Sequence, residues 1–309
     1  MVEQQRTYAP IALFVYNRLD HTRQTINALL TNDGAAESHI YIFSDASQNN
    51  AENEIIQEVR SYIHSIDGFK DVTIIEREVN FGLARSVIEG VTKICEEHGR
   101  IIVLEDDLVV SPYFLKYMNN ALNMYDTDSR VCSISGYMYP VNLSISENTF
   151  FCKAPHSWGW ATWEVEWDLF NDDGKALLNR IESGNLTQSF EKNGPYSYLK
   201  MLKQQVAGEN NSWYIRWYAS CFLHNKLTLM PSKSLVQNIG IDGTGVHCAK
   251  WKYNPFLVEL AQQPVDVEFI PVIDRNDIYG VMTKYHRKVR RLRVLNFVYR
   301  LVNSLGLKK

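Results

Sequence analysis

Five short apolar runs alternate with helical patterns over the first 135 residues, and that alternation limits the chain to few architectures. Residues 10–16 (PIALFVY), 40–43, 72–75, 101–104 and 131–135 have the length of buried strands rather than of buried helices. Between the first two, residues 20–30 read as a helix that Asp20 can cap. Ile55, Val59, Tyr62, Ile63 and Ile66 recur at helical spacing. Leu83, Val87, Val91 and Ile94 define the inward face of a helix over 83–95, and another helix is expected from 112 to about 125. Alternation of this kind packs as an α/β layer structure, a Rossmann-like, mostly parallel central sheet with helices on both faces.

Ligands of such sheets bind beyond the carboxyl ends of the strands. The polar residues found there are Asn17 and Arg18, Ser44 and Asp45, Asn80, and the run Glu105-Asp106-Asp107. An apolar strand that runs straight into three acids is the sharpest of these signals, because crowded like charges raise each other's pKa. A hard divalent cation relieves that crowding. Mg²⁺ takes one or two protein carboxylates and fills its shell with water and phosphate oxygens. The plainer alternative is a solvated acidic loop after an edge strand.

Several segments carry a family resemblance. VLEDDLVVSPYFLKYM (103–118) resembles the metal-binding segment of GT-A fold glycosyltransferases, in particular N-acetylglucosaminyltransferase I and its bacterial relatives. PIALFVYNRLDHTRQTINALL (10–30), IYIFSDAS (40–47), NFGLARSVIEGV (80–91), WGWATW (158–163) and SLVQNIGIDGTGVHC (234–248) are similar to further landmarks of such enzymes, in the same order. The resemblance implies a GT-A fold and a nucleotide-sugar donor, a UDP-sugar first of all. It assigns Asp45 to a base edge, and Tyr16, Asn17 and Arg18 to the nucleotide side. Asn80 and Arg85 would close the donor pocket. Glu105 would reach the ribose or a metal-bound water, and Asp106 a donor-sugar hydroxyl. Asp107 would hold the divalent metal, Mn²⁺ or Mg²⁺, with His247 as a second ligand beyond the glycine-rich run GIDGTG (240–245). An exposed loop histidine is the alternative for His247, a surface ion pair for Arg85, and a helix cap for Asn80.

An inverting transfer needs a general base within reach of the acceptor hydroxyl. Glu164, Asp168 and Asp242 are the candidates. A related galactosyltransferase group, with its acid shortly after a similar Gly-Trp segment, selects Glu164. N-acetylglucosaminyltransferase I places its acid between two later tryptophans, and Trp213-Tyr-Ile-Arg216-Trp217 departs from that pattern in having none. Trp158 and Trp160 suit a sugar-stacking wall. Trp160, Trp163 and Trp167 also fall at helical spacing, as do Trp213 and Trp217, so core packing competes for them.

The formal charge of −3 hides an asymmetry: residues 284–309 hold nine Lys or Arg and no acid, leaving 23 basic and 35 acidic groups in the first 283. Val294, Phe297, Val298, Leu301, Val302 and Leu305 form an apolar helical stripe within this basic tail. Such an amphipathic helix suits an anionic membrane surface; the alternative is packing on the chain's own acidic body. No nucleic acid is expected, since no aromatic platform accompanies the charge.

The five cysteines are scattered without a CxxC pair, the start is polar, and no run approaches the roughly 18 apolar residues of a membrane span. The expectation is a cytoplasmic protein, peripheral on the inner face of the membrane, that transfers a sugar to a glycan or lipid-linked glycan in cell-surface polysaccharide or lipopolysaccharide synthesis. Residues 1–135 would be the donor half of one GT-A domain, 136–283 the acceptor half, and 284–309 the amphipathic tail. The rivals are a sugar nucleotidyltransferase and a non-catalytic glycan-binding protein of the same fold. The absence of glycine from residues 10–27 counts against the first, the intact acid run against the second.

Overall fold

The structure is a computed structural model that describes residues 8–153, 155–191, 197–243 and 254–304. The strands are β1 (Ile11–Val15), β2 (His39–Ser44), β3 (Asp71–Glu76), β4 (Arg100–Glu105), β5 (Leu108–Val110), β6 (Val131–Ser135), β7 (Thr149–Cys152), β8 (Trp160–Trp163), β9 (Leu227–Pro231) and β10 (Val236–Asn238). The helices are α1 (Leu19–Leu30), α2 (Asn53–Ile63), α3 (Gly82–His98), α4 (Phe114–Met124), α5 (Glu164–Trp167), α6 (Gly174–Ser183), α7 (Thr187–Phe190), α8 (Tyr198–Val206), α9 (Trp213–Leu223) and α10 (Asn276–Ser304).

The main sheet has the order β3-β2-β1-β4-β8-β6-β9-β7, and β5 and β10 form a small second sheet. β1 to β4 are mutually parallel; β8 enters antiparallel between β4 and β6. The inner parallel strands β1, β2 and β4 have buried apolar centres because both sheet faces are covered, whereas the edge strand β3 (DVTIIE) is only half-buried. In β1, Ile11, Leu13 and Val15 join the cluster with α1, α2 and α4, whereas Ala12 and Phe14 join the cluster with α3 and α9. Each fully buried Ile or Leu of this layer contributes about 2 kcal/mol relative to exposure. Helix α3 lies tight on the sheet, since a Cβ at Gly90 would come within 2.7 Å of the Phe14 ring.

The expected parallel core is therefore present, with local corrections. Arg18 is the residue before α1, and Asp20 sits in the first turn instead of capping it. Leu83, read as inward, is 45% exposed, while Val87, Val91 and Ile94 are fully buried. Trp160 and Trp163 lie in a strand, not a helix. Strand alternation sends Trp160 to the α3 and α9 side and Trp163 to the other, where its Nε1 donates to the Leu122 carbonyl at 3.3 Å. Trp160, Trp163, Trp167, Trp213 and Trp217 are all core.

Helix α10 begins before the basic tail and runs through residue 284. Ile278, Met282, Tyr285 and Val289, spaced four, three and four, are buried. Ile278 and Met282 pack with Phe150, Cys152 and Met230 of β7 and β9. The first turns of the helix thus belong to the body. Arg287, Lys288, Arg290, Arg291 and Arg293 are exposed, as are Val294 (59%) and Leu295 (54%).

Candidate active site

The carboxyl ends of β1, β2 and β4 place three clusters side by side on one edge of the sheet. The first surrounds Asp45, immediately after β2. Its backbone N–H donates to the Val15 carbonyl, which fixes it beside β1. Its Oδ1 accepts the N–H groups of Ala46 (2.9 Å) and Phe81 (2.8 Å), and its Oδ2 that of Gly82 (2.8 Å). Asp45 therefore satisfies donors at the N-terminus of α3, where a negative charge is favoured. One acceptor position on Oδ2 is left for a ligand. Asn80 closes the same corner by donating to the Ala46 carbonyl at 2.6 Å.

The second cluster gathers around Glu52, which no sequence motif singled out. The Tyr16 hydroxyl donates to Glu52 Oε2 (2.5 Å), and Asn17 Nδ2 reaches Oε1 at 3.4 Å. The Gln48 N–H donates to both the Tyr16 hydroxyl and Glu52 Oε2. Burial, followed by the bond to Glu52, pushes the Tyr16 phenol up to about 12, so it remains a donor at neutral pH. Arg60 likewise belongs to no sequence motif. It donates to the Arg77 carbonyl at 2.7 Å and pairs with Glu76 at 3.1 Å at the end of β3, and its Nε reaches Ser44 Oγ at 3.4 Å at the end of β2.

The third cluster is the acid run. Arg18 Nη2 donates to Asp106 Oδ1 and to Asp107 Oδ2, the latter at 2.9 Å. Thr25 Oγ1 donates to the Asp106 carbonyl at 2.7 Å, and Asn238 Nδ2 reaches Asp107 Oδ1 at 3.4 Å. The turn after β10 comes so close that a Cβ on Gly240 would lie 2.0 Å from Asp107 Oδ2. Glycine is required there by space.

Electrostatics set this cluster apart. Burial, then the Asp107 and Asp106 charges, push the Glu105 carboxyl up to about 8. Burial also raises Asp106, to about 6, although Arg18 pulls against it. Burial alone would lower the pKa of Arg18, but the two aspartates outweigh it and keep the guanidinium charged. Three carboxyl groups share one guanidinium, so the site cannot ionise fully without further positive charge.

Among the described residues no group of three or more His, Cys, Asp or Glu converges to hold an ion unaided. Asp107 nevertheless fits a divalent cation of the kind that takes one or two carboxylates and shares its remaining shell with water and a diphosphate. His247 lies outside the described residues.

Arg85 is on the rim, paired with Glu89 of its own helix at 2.6 Å and stacked 3.7 Å from the Phe81 ring centroid. The placement of Glu164 corrects its assignment as base. Its N–H donates to the Gly99 carbonyl, and β8 pairs Trp163 with Arg100, at the amino end of β4. Six residues of strand, about 20 Å, separate that end from Glu105. Asp168 caps the same four-residue helix and shares the wrong edge. Asp242 follows the Gly240 turn and lies 3.2 Å from His21 of α1.

Beside the acids, beyond β8 and β6, rings line the same edge. Tyr137 packs on Trp158 (4.7 Å between centroids), and Tyr139 on His156 (5.0 Å), Tyr285 (4.9 Å) and His286 (5.0 Å). The sequence pointed to Trp158 alone. Tyr285 and His286 were hidden inside a segment that reads as a basic tail.

Residues 11–179 match glycosyl transferase family 2. No curated protein is matched by the chain. Solved structures similar to it include a mannosyltransferase, PcManGT, from Pyrobaculum calidifontis in complex with GDP-Man and Mn²⁺, at 12% identity and a TM-score of 0.36, over 71% of this chain and 76% of that one. TarS from S. aureus is similar at 16% identity and a TM-score of 0.31, over 46% of this chain and 24% of that one. Likenesses this distant carry no residue roles or substrates across. The family match spans more than half of the chain, from β1 into α6, and takes in the ends of β1, β2 and β4 that carry Arg18, Asp45 and the acid run, while the β10 turn lies beyond it; the protein is a glycosyltransferase of GT-A type and belongs to glycosyl transferase family 2.

Proposed function

We propose that the chain transfers a sugar from a UDP-sugar to a hydroxyl of a glycan or lipid-linked glycan, in a reaction that depends on Mn²⁺ or Mg²⁺. The observation that carries this reading is the charge deficit at the end of β4, where Glu105 and Asp106 are both pushed up by burial and by the Asp107 charge. A divalent cation bound at Asp107 would supply positive charge to the departing diphosphate. Asp45, with one acceptor position left, takes the base edge, and the Tyr16, Asn17 and Glu52 group takes the nucleoside. Arg18 turns its remaining N–H groups to phosphate oxygens. Residues 1–135 form the donor half and 136–283 the acceptor half, with Tyr139, His156 and Trp158 as an apolar wall for the acceptor sugar. For an inverting transfer, Asp242 is the acid among the three considered that shares the site's edge, and it takes the acceptor proton.

The exposed basic and apolar residues of α10 support docking on an anionic membrane surface at the cytoplasmic face, where each basic residue near the surface contributes about 1 kcal/mol. No helix among the described residues is long and apolar enough to cross a membrane. Calorimetric titration of UDP with Mn²⁺ and with chelator, on wild type and Asp107→Ala, tests the donor site. Metal-dependent binding lost in the variant is the expected result; binding indifferent to metal would sink the metal reading. Flotation with vesicles of phosphatidylglycerol and phosphatidylcholine tests the membrane surface, and equal recovery with phosphatidylcholine alone would remove the anionic requirement.

A further inference from the structure

We infer that Arg18 is an internal counter-ion that occupies the metal-side carboxylates of the donor-free enzyme, and that it pivots on Asp106, releasing Asp107, when cation and nucleotide arrive together. The inference rests on the metal-dependent donor site proposed above.

The geometry of the contact is the first reason. An arginine that locks a carboxylate does so side-on, with two parallel N–H groups on one partner. Arg18 instead uses a single nitrogen, Nη2, to bridge two different carboxylates. A guanidinium has five N–H donors. Among the described residues, those on Nε and Nη1 make no hydrogen bond, and Nη1 faces the Gly240 turn, 2.8 Å from where a Cβ would stand. The side chain is 18% exposed, so these donors sit in a partly dry corner rather than in bulk water. Three donors stay available to phosphate oxygens while two hold the aspartates.

The unequal grip on the two aspartates is the second reason. Both main-chain carbonyls are held, that of Asp106 by Thr25 and that of Asp107 by the Ile239 N–H, but the Asp106 side chain is the more enclosed, 5% exposed against 10%. The carboxylate of Asp107 has a 2.9 Å bond to Arg18 on one oxygen and a long 3.4 Å contact to Asn238 on the other. Asp107 is the partner that can be given up, and it is the residue proposed for the cation. A cation at its Oδ2 and Arg18 at the same oxygen exclude one another. With Arg18 in place, the cation alone competes with a resident charge. With a diphosphate present, Arg18 gains new acceptors as it leaves, so cation and nucleotide bind cooperatively.

The test is Mn²⁺ binding, followed through the free-ion paramagnetic resonance signal, with and without UDP, on wild type and Arg18→Gln. Arg18→Gln should bind Mn²⁺ alone at least tenfold more tightly than wild type. UDP should raise Mn²⁺ affinity strongly in wild type and much less in the variant. By linkage the same factor must appear when Mn²⁺ is fixed and UDP is titrated. Arg18→Met, which keeps the apolar stem, gives the same comparison where Arg18→Gln does not fold. Unchanged or weaker binding of Mn²⁺ alone in a folded variant, with UDP-dependent Mn²⁺ binding intact in wild type, overturns the pivot and leaves the metal site standing. Absence of UDP-dependent Mn²⁺ binding in wild type overturns both, and is read without any variant.

Discussion

Two carboxylate corners share one edge of the sheet and are built on opposite terms. Asp45 gives its oxygens to three backbone N–H groups at the start of α3. Its charge is answered by the fold itself. Glu105, Asp106 and Asp107 face one guanidinium, and burial pushes the first two up towards neutral pH. Their charge is answered only in part. A carboxylate that the backbone already satisfies is a structural post that can also receive a ligand. A carboxylate set that the fold leaves unsatisfied is poised for a cation from outside.

The contrast breaks most sharply at Asp107. Asp107→Ala should lower turnover by roughly 10²–10³-fold, the scale of losing one preorganised electrostatic group. Its melting temperature should stay level or rise, because a crowded charge has gone. Equal turnover in both proteins would show that the acid corner is only structural.

Acidity provides the next test. Glu105 binds its proton more tightly folded than unfolded, its pKa moving from 4.5 to about 8. Stability of the metal-free protein should therefore fall as pH rises through that window, and Glu105→Gln should flatten the fall in a melting profile. Cations compete with the same protons, so Mn²⁺ affinity should climb about tenfold per pH unit per proton released, up to about pH 8. A flat Mn²⁺ profile between pH 6 and 8 would mean these carboxyls are already ionised.

Asp45→Ala sharpens the other side of the comparison. Losing the bonds at the α3 N-terminus should cost about 1–2 kcal/mol in denaturant unfolding, a penalty the acid corner should not show. The smallest effect belongs to Glu164→Gln, at the far end of β4. Its turnover should match wild type within about twofold, whereas Asp242→Asn should lose far more, about 10²-fold, if proton transfer passes there. A large loss in Glu164→Gln would contradict the strand directions.

The sequence displayed the parallel half well, because strands buried on both faces read as continuous apolar runs and their helices have clear spacing. The acids after Leu104 were legible for the same reason, a strand ending in charge. Glu164 was misread because β8 enters the sheet antiparallel. Nearness in sequence to a Gly-Trp landmark then places a residue on the opposite edge, and only the direction of the strand reveals it. Glu52, immediately before α2, and Arg60, inside it, were invisible because each reaches partners on other strand ends, contacts that no spacing in the sequence marks. Trp160 and Trp163 satisfy helical and strand patterns alike in so short a segment, and the β4 partner decides between them.

Helix α10 carries two histories in one element. Ile278, Met282, Tyr285 and Val289 are tied to the rest of the molecule, and Tyr285 donates to the Pro255 carbonyl at 3.0 Å. Arg287, Lys288, Arg290, Arg291, Arg293, Val294 and Leu295 are exposed on the outer side. Single substitutions of arginine or valine on that outer side are expected to leave the rings on the inner side undisturbed. Packing and surface chemistry can thus vary independently, on opposite sides of the same turns.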